Sequence, residues 1–520
     1  MTTAGPVLAI DLGTGGPKVA LVTLDGEVLG REFESTPLNV LPGGGVEQSP
    51  DDWWGAVATA ARRLADRGLA KPEDVEAVMV TGQWGGTVPV SADNTPLTDG
   101  LSWMDARGAP HTRAIAGGPV AGYHPSKVMR WVRLTGGAPS LSGRDPLGHI
   151  LWFKNERPDI YAETATFLEP VDYLGMRITG RRATSNTTAT YLWLTDARDL
   201  SKPRYDDGLI EMAGVDRSKL PELLPAGAVL GNVTEEASRE LGVGTQAKVI
   251  VGVPDSMSAA VGSGAVEDFA AHLYVGTSSW LSCHVPFKRT DPLHAVASLP
   301  SAIPNRYLVS CEQQTAGKCL ELARDTLLPG SGDDGYPELL EMAAAAPVGS
   351  GGVVYAPWLN GERTPLDDHL VRGGFYNLTL DTTREQLARA VLEGVALNTR
   401  WMHKYVERLS RKKLSPITYI GGGARSELWC QIMADVLGRP IRQVANPIEA
   451  NVLGTGFLAG LSLGKLQLSD IPRRVKIEAT FEPDPAAHRT YTELFDVLRK
   501  IYKANKRIYA KLNANHSGGS

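Results

Sequence analysis

The sequence predicts an α/β protein of two domains, on three observations. Short β-branched runs alternate along the chain with longer segments of helical period. At 520 residues the chain exceeds the ~250–300 residues at which a single hydrophobic core stops growing. A strand, a glycine turn and a second strand open the chain, and a weaker copy of that hairpin recurs past its midpoint.

The strand runs are Val7 to Leu12, Lys18 to Leu24, Val75 to Thr81, Lys248 to Val253, Leu273 to Leu281 and Ile417 to Ile420. The first two flank Gly13 to Gly16 and lead to Asp25-Gly26, a strong two-residue turn signal, so they read as a β-hairpin. Its echo is His272 to Val275, the turn Gly276-Thr277, and Ser279 to His284. Two halves that open alike place a boundary near residue 252. The domains expected are 1–252, 253–485, and a C-terminal helix and tail over 486–520. From Asp51, an aspartate able to cap a first turn, Trp54, Val57, Ala61 and Leu64 recur at helical spacing. Leu387, Val391, Val395 and Leu428, Ile432, Val436 form similar stripes, read as core faces. From Ala486 onward Tyr491, Leu494, Phe495, Leu498, Ile501 and Tyr502 predict an amphipathic helix packed on the second domain, and only Ser517 to Ser520 reads as disordered.

Composition excludes several function classes. The 56 glycines and 34 prolines stay well below the ~25–30 per cent share of low-complexity chains. With 53 basic against 58 acidic residues, no positive excess exists for a nucleic-acid backbone or an anionic membrane. The N-terminus lacks a basic-then-apolar leader, and no apolar stretch approaches ~18 residues. Cys283, Cys311, Cys319 and Cys430 show neither a CxxC pair nor a framework spacing, which fits a reducing, cytoplasmic setting.

Chemistry is expected at the glycine turns. Asp11-Leu12-Gly13-Thr14-Gly15-Gly16 ends an apolar strand with an acid and a turn whose N–H groups can cradle an anion. A carboxylate beside a phosphate repels it unless a hard cation such as Mg²⁺ lies between, and an ordinary hairpin turn is an equally good reading of this string alone. Gly276-Thr277-Ser278-Ser279 suits another part of a polyphosphate, although Ser and Thr are also routine turn formers. Gly421-Gly422-Gly423-Ala424, before a helix near Ser426, suits a nucleotide base or ribose, or close helix packing.

Asp255, after the strand at the domain boundary, can cap the next helix, accept a proton from a substrate hydroxyl, or both. Gly82-Gln83-Trp84-Gly85-Gly86 also follows a strand. If Trp103-Met104-Asp105-Ala106-Arg107 is extended, its alternate side chains share one face suited to a polyhydroxylated ligand; a packed Trp beside a structural ion pair is the other reading. The chain holds no GxxxxGK[ST] loop, protein-kinase signature set, HExxH or GxSxG. Gly454 to Gly460 is better explained by helix packing than as a dinucleotide fingerprint.

In order, Asp11-x-Gly13-Thr14 with Lys18, Glu47-Gln48 and Trp53, Gly82-Gln83, Trp103-x-Asp105-x-Arg107, Asp172-Tyr173-Leu174 with Thr179-Gly180, Gly252-x-x-Asp255, Gly276-Thr277-Ser278, Gly361-Glu362-Arg363-x-Pro365 and Gly421-Gly422-Gly423-Ala424 span nearly the whole chain. The set resembles the FGGY family of carbohydrate kinases, in the actin-like, Hsp70-like ATPase superfamily, and is most similar to its xylulokinase branch. This resemblance implies two ribonuclease-H-like domains closing a cleft on ATP and a small sugar or polyol, with Mg²⁺-assisted phosphoryl transfer. It implies Asp11 and Asp255 at the metal, Asp255 as general base at the substrate hydroxyl, and Gly13, Thr14 and the catalytic Lys18 near the transferred phosphate. Gly276 and Thr277 match the second phosphate turn, Gly317 a helix start near the nucleotide, and Gly422, Gly423 and Ala424 the adenosine site. Gln83, Trp84, Trp103, Asp105 and Arg107 are similar to sugar-side residues. Related kinases are often dimers, so a homodimer is also implied.

The substrate class implied is a ketopentose such as xylulose, or a related ketose or alditol. Many xylulokinases read Gln, Met, His, Gly where this chain has Gln83-Trp84-Gly85-Gly86, and Asn where Ser256 stands. Gly15 and Gly16 replace common Ser or Thr, and Pro17 precedes the lysine. Trp84 is expected to narrow the pocket or offer a stacking face, turning preference from D-xylulose toward another ketose, a shorter polyol or an unusual epimer. The competing readings are a non-kinase ATPase with a protein partner and a sugar sensor that only binds. The Trp103, Asp105, Arg107 face and the acid at the cleft argue against the first, since neither is needed to grip a protein, and the presence of both Asp11 and Asp255 argues against the second.

Overall fold

A computed structural model describes residues 5–513. The expectation for Ser517 to Ser520 lies outside the described residues. Two mixed sheets organise the chain. The first holds Val7–Gly13 (β1), Gly16–Val22 (β2), Val28–Phe33 (β3), Ala77–Gly82 (β4), Val229–Asn232 (β5) and Lys248–Pro254 (β6), in the order β5-β6-β4-β1-β2-β3. The second holds Ala271–Val275 (β7), Ser279–Val285 (β8), Thr290–Asp291 (β9), Val296–Pro300 (β10), Tyr307–Ser310 (β11), Ile417–Ile420 (β12), Ile441–Val444 (β13) and Ile477–Phe481 (β14), in the order β9-β10-β11-β8-β7-β12-β13-β14.

The hairpin echo in the sequence is the visible part of a complete duplication. From β3 to β5, and from β11 to β14, successive neighbours pair antiparallel, antiparallel, parallel, parallel, antiparallel. Both halves therefore carry the ribonuclease-H-like arrangement of an antiparallel meander extended by parallel strands. The run expected as one strand from Leu273 to Leu281 is two, broken at the Gly276 turn because β7 and β8 reverse there.

Helices cover both sheets. Pro50–Asp66 (α1) and Pro170–Thr179 (α2) pack on the first with Trp53, Val57, Leu64 and Leu174. Ser49, not Asp51, caps α1: its side chain accepts from the Asp52 N–H. The cap is worth ~1 kcal/mol, whereas each large apolar side chain buried along the stripe contributes ~1.5–3 kcal/mol, so the stripe decides the helix. Asp255–Gly262 (α3) and Ala450–Ser462 (α7) lie in a core shared by both halves, with Val7, Ala9 and Val22 on one side and Ile420 and Val444 on the other. Gly317–Leu327 (α4), Arg384–Ser410 (α5), Glu427–Leu437 (α6) and the terminal Pro485–Asn513 (α8) pack on the second sheet; Val391, Ile432, Tyr491 and Leu498 enter its core as expected. Leu8, Ile10 and Leu12 of β1 face the first core while Val7 and Ala9 face the shared one, which is why this central strand reads as a continuous apolar run.

Candidate active site

Asp11 is carried into the cleft by β1, where it pairs across the hairpin with Lys18. Lys18 Nζ lies 3.9 Å from its carboxylate and donates to the Ile448 carbonyl at 3.2 Å, so this lysine of the first half reaches the second. Burial raises the pKa of Asp11, while the Lys18 charge and a hydrogen bond from Asn451 oppose that rise. At the turn tip, Gly16 has φ +134°, a region other residues rarely adopt, and a Cβ there would overlap the Glu34 carbonyl. Nothing lies within 4 Å of where a Gly15 Cβ would be, so this tip has room for a ligand.

Asp255 is the first residue of α3, directly after β6. It does not cap that helix: Pro254 occupies the cap position and no side-chain cap bond forms, so its carboxylate is left for other work. Thr81 braces the junction, its hydroxyl 3.0 Å from Val253 O and 2.8 Å from Ser258 Oγ. Burial, the charge of Asp11 and that of Glu312 push Asp255 up to about 7, with a backbone hydrogen bond from Ser256 opposing. Such a group changes charge near neutrality, as a general base should. Two buried carboxylates, the charge of Asp11 raising Asp255, also fit a hard cation. Mg²⁺ is usually held by one or two protein carboxylates with phosphate and water oxygens completing the shell, and no cluster of three or more His, Cys, Asp or Glu suited to a metal occurs among the described residues.

The second turn is docked on a helix start. Gly317 N–H donates to Gly276 O at 2.8 Å and Ala316 N–H to Thr277 O at 3.0 Å; a Cβ on Gly317 would overlap Gly276 O. Gly317 is thus required by packing that holds the turn, and Thr277 is exposed at its tip. In the third turn only Gly422 faces open space. Gly423 and Ala424 are buried, Gly423 because a Cβ would crowd Tyr419 and Val275. These two shape the turn from behind Gly422.

On the sugar side the structure corrects one expectation. Trp103 to Arg107 forms turns rather than a strand, so the period-two alternation of an extended segment does not apply to it. Asp105 is fully buried, accepting from Val46 N at 2.8 Å and from Arg107 Nε at 2.9 Å and Nη2 at 2.7 Å. Arg107 also donates to Glu47 at 2.5 Å and lies over the Trp152 ring. Both Asp105 oxygens and the Nε and Nη2 groups of Arg107 are used internally, so Asp105 and Arg107 form a structural brace. Trp103 does reach the site: its indole N–H donates to Thr14 Oγ1 at 3.1 Å. Gln83 donates to Gln48 at 3.1 Å, which in turn donates to Thr14 O at 2.9 Å, while Gln83 Oε1 is buried with no hydrogen-bond partner and can accept from a substrate hydroxyl. Trp84 donates to Thr188 O and stacks on Tyr191 at 3.8 Å and 6°, so one indole face is already occupied.

Glu169 carried no sequence signal, and Arg363 stood only within the Gly361-Glu362-Arg363-x-Pro365 motif, with no role attached. Glu169, buried on the loop before α2, accepts the Gly85 N–H at 2.7 Å and so anchors the Trp84 loop. Arg363 of the second half hydrogen-bonds Tyr191 and pairs with Glu312 at 3.1 Å. Their partners lie more than 50 residues away, beyond the reach of local pattern.

The models for the "FGGY family of carbohydrate kinases" match the chain twice, the N-terminal domain over residues 6–262 and the C-terminal domain over 272–463. A xylulose kinase of Staphylococcus epidermidis is 28% identical over 97% of this chain and 98% of its own length. One of Escherichia coli K12 is 29% identical over 95% and 98%. The crystal structure of gluconate kinase from Lactobacillus acidophilus superposes with a TM-score of 0.86 at 25% identity, covering 98% of this chain and 99% of that one.

Proposed function

The chain belongs to the FGGY family of carbohydrate kinases and phosphorylates a sugar at the expense of ATP; from that premise we propose that Asp255 is the general base and that the substrate is a small ketose or polyol. The observation that carries this reading is Asp255 at the head of α3, uncapped, beside Asp11 and Lys18, with a pKa near neutrality. Phosphoryl transfer asks little covalent chemistry of a protein, so position and charge dominate. In this reading Asp255 takes the proton of the attacking hydroxyl, and Lys18 and the N–H groups from Gly13 to Gly16 meet the phosphate. The Gly276-Thr277 turn holds another phosphate, and Gly422 fronts the nucleoside. Asp11 and Asp255 would hold Mg²⁺, whose charge would offset that of the phosphates.

Gln83 and Trp103 are the sugar-side contacts, with Trp84 narrowing the pocket against Tyr191. The xylulose kinases and the gluconate kinase among similar proteins bracket the substrate class without selecting within it. We place the domain division between Pro254, where the first sheet ends, and Ala271, where the second begins, just past the expected 252/253. Four buried, free cysteines support a cytoplasmic setting.

The test is ADP release with Mg·ATP over a panel of pentuloses, hexuloses, aldonates and alditols. At least one compound should drive turnover. Asp255→Asn should lower kcat by ~10²–10⁴-fold while binding of a nonhydrolysable ATP analogue persists; wild-type turnover in that variant removes the base assignment.

A further inference from the structure

Tyr274 lies at the centre of the site, yet the reading above gives it no work. It stands on β7, where alternation sends Leu273 and Val275 into the core of the second half and turns Tyr274 to the opposite side, against the core shared by both halves. Its ring fits between two glycine turns. A Cβ on Gly276 would overlap the Tyr274 hydroxyl, and one on Gly421 would lie 3.1 Å from ring atom Cδ2.

The ring is held from behind. Tyr274 is paired across the hairpin with Trp280 and stacks on it at 3.9 Å and 10°. Trp280 in turn donates its indole N–H to the buried His272 Nε2 at 3.2 Å. Rotating the tyrosine away would break this stack, so its hydroxyl is fixed in place. That hydroxyl has no hydrogen-bond partner among the described residues. Burial together with the charges of Asp255 and Asp11 holds the phenol above its ordinary pKa, which keeps it a donor. A fixed, neutral donor beside two carboxylates and a phosphate turn has one chemical counterpart in this reaction, an anionic oxygen.

We infer that Tyr274 is a further catalytic residue: its hydroxyl, set at the Gly276-Thr277 turn, donates a hydrogen bond to a nonbridging oxygen of the phosphate held by that turn, on the leaving side of the transfer, where negative charge grows as the bond breaks. The proton stays on the phenol throughout. The donor stabilises charge in transfer without adding bulk beyond the ring. This inference rests on the phosphate role proposed for Gly276-Thr277.

Tyr274→Phe keeps the ring and its stack and removes only the oxygen. With saturating sugar, kcat should fall ~10–100-fold, while the sugar KM and the thermal midpoint stay at wild-type values. A kcat within twofold of wild type, or a loss seen only as weaker sugar binding, overturns the inference. Thr277→Val assayed alongside separates the two claims. If kcat/KM for ATP is unchanged in Thr277→Val, the phosphate turn fails and the tyrosine with it. If Thr277→Val is impaired and Tyr274→Phe is not, the tyrosine alone fails.

Discussion

Gly262 and Gly454 bring two helices into backbone contact directly behind the candidate base. A Cβ on Gly454 would overlap the Ser258 carbonyl and sit 2.7 Å from Gly262 N, and a Cβ on Gly262 would overlap the Ala450 carbonyl. The helix that begins at Asp255 is thereby clamped to one that supplies Asn451 to Asp11.

Gly454→Ala tests that clamp. Helix propensity alone favours alanine by ~1 kcal/mol, but here the backbones must separate, and overpacking of this kind costs ~1–3 kcal/mol or more. Urea unfolding should show a net loss of stability, with kcat falling in the folded protein as Asp255 shifts. A midpoint at or above wild type would mean the crossing is loose.

Asp105→Ala separates the brace from a ligand contact. It strips Arg107 and the Val46 N–H of a buried acceptor, a change expected to cost ~3–5 kcal/mol. The outcome to look for is a lowered unfolding midpoint with the sugar KM of the remaining folded enzyme unchanged. A selective rise in sugar KM at full stability would restore a direct role.

The pH dependence of activity follows from Asp255. A base must be ionised, and a folded pKa of about 7 makes it so only above neutrality. The kcat/KM for ATP should therefore rise with pH through about 7 and then level. The acid limb of kcat should lie lower, since bound Mg²⁺ favours the carboxylate. A profile flat from about pH 5.5 to 8 would contradict the assignment.

Asp172, on α2, supplies a stability test away from the chemistry. Burial pushes its pKa up to about 8, against hydrogen bonds from Thr184 and the backbone. The folded state thus holds a proton that the unfolded chain loses near pH 4. Its contribution is fully present below the unfolded value and is lost as the pH rises through about 8. Asp172→Asn should flatten the fall in thermal midpoint over that window, and an unchanged slope would assign the slope to other groups.

Strand ends and glycine turns were legible because both obey local rules. Asp11, Thr277 and Gly422 stand where a strand stops and the backbone must bend, and these positions announce themselves in a linear text. The duplication was only half visible, since β4 and β12 reach β1 and β7 by long crossovers that leave no repeat in the sequence. Asp105 and Arg107 were misplaced for a different reason. Period-two alternation assumes a strand, and the turn that forms instead is dictated by distant partners, the Val46 N–H and Glu47. Trp84 was recognised as bulky, but its stack on Tyr191 depends on a segment more than 100 residues downstream. Tyr274 reads in the sequence as one residue of a strand, because nothing in its neighbours signals that its ring separates two turns.

The core that holds α3 and α7 belongs to neither sheet alone. Val7, Ala9 and Val22 meet it from one side, Ile420 and Val444 from the other, with Met257 and Phe457 between. If the polypeptide were severed between Pro254 and Ala271, each fragment would expose an oily wall to water. Co-expressed pieces should reassemble into a working enzyme, whereas either piece made by itself should aggregate. Any movement of one half against the other would have to pivot on this seam, with helix rolling over helix, because prying it apart would wet the interior.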